Sequence, residues 1–313
     1  MTDQIQKVQS TLFKRVIAII VDFIILAIIG AGLGTILSFE FAQLANHGVL
    51  VGWLIATIYF GISNSKIASG QSVGKKMTSL QVVDNNGDFL NIRQAFIRSL
   101  FFTTPFFLLE YFQNLSLTPQ IISHLLGAIN IAYYVGLLYF FIANKQDRRT
   151  VHDIFAKTCV KFQDQTEVAI QEVSKLKVYV YSGIVTIILA SFIGTYFWFN
   201  TVSDLTEVFE ANQDVLTEMA VEISELEEVL WIASSKINVT VDSEVGIVVE
   251  AWTRQNVNEI NPEAIYDQII NIVSSKSFKI SRIDYSEVIL NYGYDIGIAD
   301  YKATKSWKNE NGK

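Results

Sequence analysis

Residues 13–37 read FKRVIAIIVDFIILAIIGAGLGTIL, a near-continuous apolar run long enough to span a bilayer as a helix. Arg15 opens the run and Asp22 lies well inside it. A spacing of seven puts them on nearly one helix face, about 10 Å apart along the axis. Arg15 can snorkel to the headgroups, whereas Asp22 is too short to do so. A buried aspartate costs roughly 2.5–3.5 kcal/mol at the centre of a spanning helix. The chain must therefore supply compensation: a proton, a basic partner, a bound cation or a water-filled cavity.

Outward from that run, the 313 residues are 50% apolar and only 18% charged, with a mean hydropathy of +0.32. This is the profile of a membrane protein with a soluble part attached. Residues 1–199 hold 15 Lys and Arg against 11 Asp and Glu; residues 200–313 hold 9 against 20. The balances, +4 and −11, add to the net −7 and mark a domain boundary. An acidic C-terminal half excludes nucleic acid as its partner. With a single cysteine, Cys159, no internal disulfide or cysteine-rich metal site is available. The first apolar run is too long for the core of a signal peptide.

Five apolar segments are candidate spans: 13–37, 49–62, 95–112, 121–142 and 178–199. The second is short. The third carries Arg98, Pro105 and Glu110. Loop charges alternate along the chain. Lys7, Lys14 and Arg15 precede the first segment, and connection 38–48 has no Lys or Arg. Loop 63–98 has five, 113–120 has none, and 143–177 has seven. The positive-inside rule then places the N-terminus in the cytoplasm of a multi-pass cell-membrane protein and residues 201–313 outside.

In the loop after the second segment, Leu80–Val83 and Phe89–Ile92 read as two strands joined by an Asn-Gly turn. The preceding GQSVGKK has the wrong glycine spacing for a phosphate loop. Lys75 and Lys76, with Arg148 and Arg149 of the later basic stretch, read as membrane-surface cations facing anionic headgroups. Val151, Ile154, Phe155 and Thr158 form one stripe of a surface helix, and His152–Asp153 is a candidate proton-transfer pair. No serine or cysteine nucleophile is spaced to complete a triad with it. His124 lies early in the fourth segment, where it could line a polar path or bond a backbone carbonyl.

Residues 202–230 carry a heptad seam from Val202 to Leu230 that includes Asn212, Leu216, Met219, Ile223 and Leu226. The seam permits a coiled coil, with Asn212 setting its register. Flanking valines widen it to the stripe of a helix packed on a globular core, which is the preferred reading. Then come a hairpin over 237–252, a helix PEAIYDQIINIVSS opened by Pro262 with Asn261 as its cap, and strands at Phe278–Ile283, Glu287–Tyr292 and Asp295–Tyr301. Trp252, Tyr292, Tyr294, Tyr301 and Trp307 could form a ligand surface, but such aromatics are more often core and cross-strand pairs.

Three pieces align with a known family. Arg15 and Asp22 in the first segment, GQSVGKKMTSLQVVD at 70–84 and RRTVHDIFAKTCV at 148–160 together resemble the RDD family of membrane proteins, over roughly residues 10–162. By that resemblance Arg15, Asp22 and Asp153 match the arginine and two aspartates that name the family. Ser79 departs from it, since members often carry glycine before the strand. The resemblance implies a membrane block with a suggested transport role, sodium–proton exchange being known for some members. Residues 177–313 fall outside it.

The expected fold is an α-helical membrane protein. It has an RDD-like four-span block (1–176), a fifth transmembrane helix (177–200) and an acidic α+β extracytoplasmic domain (201–313). The expected function is a non-enzymatic membrane scaffold or sensor whose external domain binds a ligand or protein partner. The alternative is an ion or small-solute transporter, or cation–proton exchanger, with Asp22, Arg15, Asp153 and His152 as ion- or proton-coupling residues. No cofactor, metal or catalytic residue is expected. The partners are the lipid bilayer, an extracytoplasmic protein, and a second copy through the membrane block or helix 202–230.

Overall fold

The computed structural model describes residues 11–44, 47–113, 120–144, 148–165, 175–202, 204–239, 244–280 and 282–310. The chain divides into two compact units. One comprises residues 1–33, 49–196 and 296–299; the other comprises 34–48, 197–295 and 300–313.

The first unit is mainly helical. Its elements are α1 (Thr11–Ile36), α3 (Gly48–Ser63), a short α4 (Val73–Met77), β1 (Leu80–Asp84), α5 (Ile92–Gln113), α6 (Gln120–Ala143), α7 (Val151–Phe155), β2 (Thr158–Phe162) and α8 (Lys175–Val202). A further helix, α2 (Ser38–Leu44), belongs to the second unit. Among the described residues three helices are long and apolar enough to cross a membrane: Leu12–Ile36, Ile122–Ala143 and Lys177–Phe197. A fourth crossing is counted if Ser38–Leu44 and Gly48–Ser63 make one span. α5 has the length of a span, 22 residues, but Arg93, Arg98 and Glu110 make it less apolar than those three.

β1 does not pair with Phe89–Ile92, as its neighbourhood in sequence predicts. It forms an antiparallel ladder with β2, running from Leu80 opposite Phe162 to Asp84 opposite Thr158. The intervening turn explains why. Asp84 Oδ1 accepts the N–H groups of Asn86 and Asp88 at 2.8 and 3.0 Å, and Gly87 takes φ +90°. Leu90 makes one bridge to Ser65. Asn91 Oδ1 then accepts the N–H of Gln94 at 2.9 Å, capping α5 where a second strand was expected. The surface helix is likewise shorter than its stripe suggests: it ends at Phe155, and Thr158 begins β2. Leu80, Val82, Val160 and Phe162 bury their side chains with Ala18 of α1 and Ala95 of α5. The small sheet is thereby fastened to two helices. Deeper along the helices, Leu26, Ala56, Phe60, Phe102 and Phe107 make a second apolar cluster.

The second unit has the expected α+β order. It contains α9 (Asp204–Ser224), β3 (Val229–Val239), β4 (Val245–Thr253), α10 (Pro262–Ser275), β5 (Tyr285–Asp295) and β6 (Asp300–Glu310). The sheet order is β3-β4-β5-β6, antiparallel except for the parallel β4–β5 pair. Alternate residues Ile247, Val249 and Ala251 of β4 and Val288 and Leu290 of β5 share one face and bury themselves with Leu216, Met219 and Ile223 of α9 and Ile265, Ile269 and Val273 of α10. From Leu216 to Ile223 the seam of α9 is thus spent inside its own domain, as the three-in-seven stripe predicts.

Three boundaries differ from the sequence expectation. The helix ends at Ser224, not at 230, because Leu226 and Val229 N–H groups close two turns and Val229 then pairs with Thr253. Among the described residues of Phe278–Ile283 there is no strand: the Lys279 N–H is bound instead by Asn212 Oδ1 at 2.6 Å. The strand expected at Asp295–Tyr301 straddles a turn, since β5 ends at Asp295 and β6 starts at Asp300. Asn261 precedes α10 without a side-chain cap bond. Trp231 and Trp252 face each other across β3–β4 with rings stacked at 5.5 Å. Tyr294 and Tyr301 do so across β5–β6 at 6.3 Å. These are cross-strand pairs.

Candidate functional site

Asp22, on α1, is 1% exposed. Its Oδ1 accepts the Tyr59 hydroxyl at 2.7 Å and the Gly74 N–H at 2.8 Å, and its Oδ2 accepts the Ser72 hydroxyl at 2.6 Å. The compensation demanded by the apolar run is therefore a set of neutral hydrogen bonds, two of them from the loop that opens α4. Gly74 is required there. A Cβ on it would meet the Ala18 carbonyl oxygen at 2.0 Å, and without one the backbone N–H reaches into α1. Sequence reading took GQSVGKK for a membrane-surface turn, but its serine and second glycine are the clasp on Asp22. A serine, a small residue and a preceding tyrosine are weak signals until a carboxylate is placed among them.

Asp153, also 1% exposed, is held by charge. Arg98 binds Oδ1 through Nε at 3.1 Å and Nη2 at 2.8 Å. Thr158 adds its hydroxyl to Oδ1 at 3.3 Å. Thr150 donates its N–H and hydroxyl to Oδ2 at 3.2 and 3.0 Å. Arg15 stands second in rank, its Nη1 4.0 Å from Oδ2. Arg15 mainly ties backbone: it donates to the carbonyls of Arg148 at 2.6 Å and Val160 at 2.9 Å, joining α1 to the α6–α7 connection and to β2. Arg15 thus stays near Asp153, and the direct contact goes to Arg98.

His152 is buried between Arg98, whose Nη2 lies 3.2 Å from Nε2, and the ring of Phe102 at 5.2 Å. Burial lowers its pKa to about 3, only partly opposed by Asp153, so the imidazole is neutral at ordinary pH. Burial alone would raise the Asp153 carboxyl. Arg98, His152 and Arg15 outweigh it and hold the group well below the usual carboxylate range.

The four cations read as membrane-surface groups separate. Lys76 is exposed. Arg149 is buried, at 6% exposure. Arg148 is half-buried, with its guanidinium 5.3 Å from the Phe141 ring. Lys75 turns inward, its Nζ 3.0 Å from Asn64 Oδ1 and 3.2 Å from Ser72 Oγ. The pull of the buried interior overrides the surface reading for three of them. His124 packs edge-on to Tyr196 at 5.4 Å. Among the described residues no three His, Cys, Asp or Glu side chains converge.

The RDD family matches residues 10–157. The matched stretch, just under half of the chain, is similar to the RDD family. No curated protein and no solved structure matches the chain. Within the matched stretch, Arg15, Asp22 and Asp153 occupy the positions that the resemblance assigns to the name residues. All three are buried, and each ties distant stretches of chain together: 22 to 72 and 74, 15 to 148 and 160, 153 to 98. The sheet β3–β6 and the helices α9 and α10 lie outside the family match.

Proposed function

We propose that this protein is an RDD-family, non-enzymatic membrane scaffold or sensor. Its helical domain is a fixed platform, and the acidic α+β unit, on the extracytoplasmic side, binds a ligand or protein partner. The observation that carries this reading is the saturation of Asp22. Both of its oxygens already accept short hydrogen bonds from protein donors, in a site 1% exposed. A coupling carboxylate must shed and regain such partners in every cycle; a structural one keeps them. Because Leu216, Met219 and Ile223 are buried in the domain's own core, partner binding belongs to another surface than the α9 seam.

The orientation follows from the loop charges, and one feature of the fold supports it. Residues 34–48, the cation-free connection, fall in the same compact unit as most of residues 197–313. There the ring of Phe41 meets that of Tyr294 at 5.8 Å.

The test is cation-driven proton flux in proteoliposomes, for the native chain beside Asp22→Asn, with the melting temperature of each. A scaffold gives no flux above empty vesicles and a lowered melting temperature in the variant. Native flux that vanishes in an Asp22→Asn protein of unchanged melting temperature would replace this reading with an exchanger.

A further inference from the structure

Beside the two aspartates, the RDD-like domain encloses a cavity of about 150 Å³. Its lining includes three cations, Arg15, Lys75 and Arg98, and no carboxylate among the described residues. The two arginines share Asp153, as described above. Among the described residues Lys75 makes no direct ion pair: its ammonium binds the neutral oxygens of Asn64 and Ser72 and lies 5.7 Å from the Phe60 ring. His152 also faces the cavity and is neutral. This ammonium has no counter-charge in direct contact; burial and the Arg98 charge lower its pKa to about 8, and Asp22 and Asp153, acting from a distance, offset that only in part. A bound anion would remove that deficit.

The other walls are apolar, and one of them leads outward. Leu12, Val16 and Ile19 of α1 line the cavity and are 49%, 45% and 39% exposed. They continue the face of Phe13, Ile20 and Ile24, which is also exposed. This lies in the first turns of the segment Leu12–Ile36, one of those long and apolar enough to span a bilayer, so the cavity sits where headgroups meet acyl chains. A free polar anion would gain nothing from such a wall; an acyl chain would. A 150 Å³ cavity holds a molecule the size of benzene, about six heavy atoms, which suits one phosphate group but not a whole lipid.

We propose that this cavity seats the phosphate of an anionic membrane phospholipid beside Lys75, with its acyl part lying along Leu12, Val16 and Ile19. The lipid is a built-in counter-ion for the RDD cluster. This assignment is independent of whether the protein transports anything.

The test uses the full chain in a neutral detergent, melted with phosphatidylglycerol, phosphatidylcholine or inorganic phosphate. Phosphatidylglycerol should raise the melting temperature by about 3–6 °C, and the other two by much less. Lys75→Met should lose that difference, while Lys76→Met, on the exposed neighbour, should keep it. Should Lys75→Met not fold, Val16→Phe serves in its place: it blocks the apolar entrance, leaves every charge intact, and should lose the difference too. Equal shifts from the two lipids, a phosphate shift matching that of phosphatidylglycerol, or a shift that survives both Lys75→Met and Val16→Phe would each overturn the proposal. A shift lost equally in Lys76→Met would do so as well, since it would mark general surface attraction.

Discussion

Asp22 and Asp153 are equally buried, yet one is held by a phenol, a serine hydroxyl and a backbone N–H, and the other by a guanidinium with a second one behind it. The difference follows from what each neighbourhood can offer. Asp22 sits in the middle of an apolar run, where a cation would need its own rescue, so neutral dipoles are the cheaper answer. Asp153 lies on a short helix outside the apolar segments, among the basic residues of its loop, where Arg98 can be recruited from α5. Neutral donors lose little when the carboxylate is replaced; a buried guanidinium left behind is costly.

The comparison is broken most sharply at Arg98. Arg98→Met strands Asp153 and should destabilise the protein by about 3–5 kcal/mol, a drop of roughly 10 °C in melting temperature in detergent. Adding Asp153→Leu should restore much of it, because then both charges are gone. A drop no larger than that of Asp22→Asn would erase the distinction between the two sites.

Acid should act next, at the Asp153 side. His152 is neutral in the folded chain and takes up its proton only near pH 3. The unfolded chain protonates it below about 6.5, so stability falls with pH through that window, by up to about 1.4 kcal/mol per unit. The depressed Asp153 carboxyl adds a loss in the same direction below its ordinary value of 3.8. Thermal melts from pH 6.5 to 4.5 should show this slope, and His152→Gln should flatten it. An unchanged slope in His152→Gln would assign the acid response elsewhere.

Asp22→Asn should follow at about 1–2 kcal/mol. The amide oxygen can still serve Tyr59 and Gly74, and the charge-assisted part of those bonds is what disappears. The smallest effect has the opposite sign. Ser79 takes φ +57° just before β1, the position where the family resemblance expects glycine. Ser79→Gly should relieve about 1 kcal/mol of backbone strain and raise the melting temperature by a few degrees. A destabilised Ser79→Gly would show that the serine side chain has a use outweighing that strain.

Which parts of this were legible in the chain depends on range. The burial of Asp22 could be read because an apolar run leaves a carboxylate nowhere else to go. α10 was readable residue for residue, since Pro262 marks its start and its apolar spacing its face. The α+β order was visible because periodicity switches cleanly between seam and alternation. By contrast, the partner of β1 lies almost eighty residues downstream, and the nearby Asn-Gly turn is a local decoy that Asn91 overrides. The clasp of Ser72 and Gly74 was hidden for the same reason, as no local pattern reports a bond across fifty residues. The inward turn of Lys75 and Arg149 was equally illegible, because side-chain burial here is set by tertiary packing and not by the basic character of the loop.

That separation has a consequence for how the protein is made. Ser72 is fifty residues behind Asp22 in the chain. At about 5–20 residues per second, synthesis takes roughly 3–10 s to reach it. For that interval α1 leaves the ribosome with its aspartate and none of its loop donors. Arg15 waits longer still for the carbonyls of Arg148 and Val160. The nascent membrane block is therefore a different electrostatic object from the finished one, its buried charges waiting on partners that its own later segments bring.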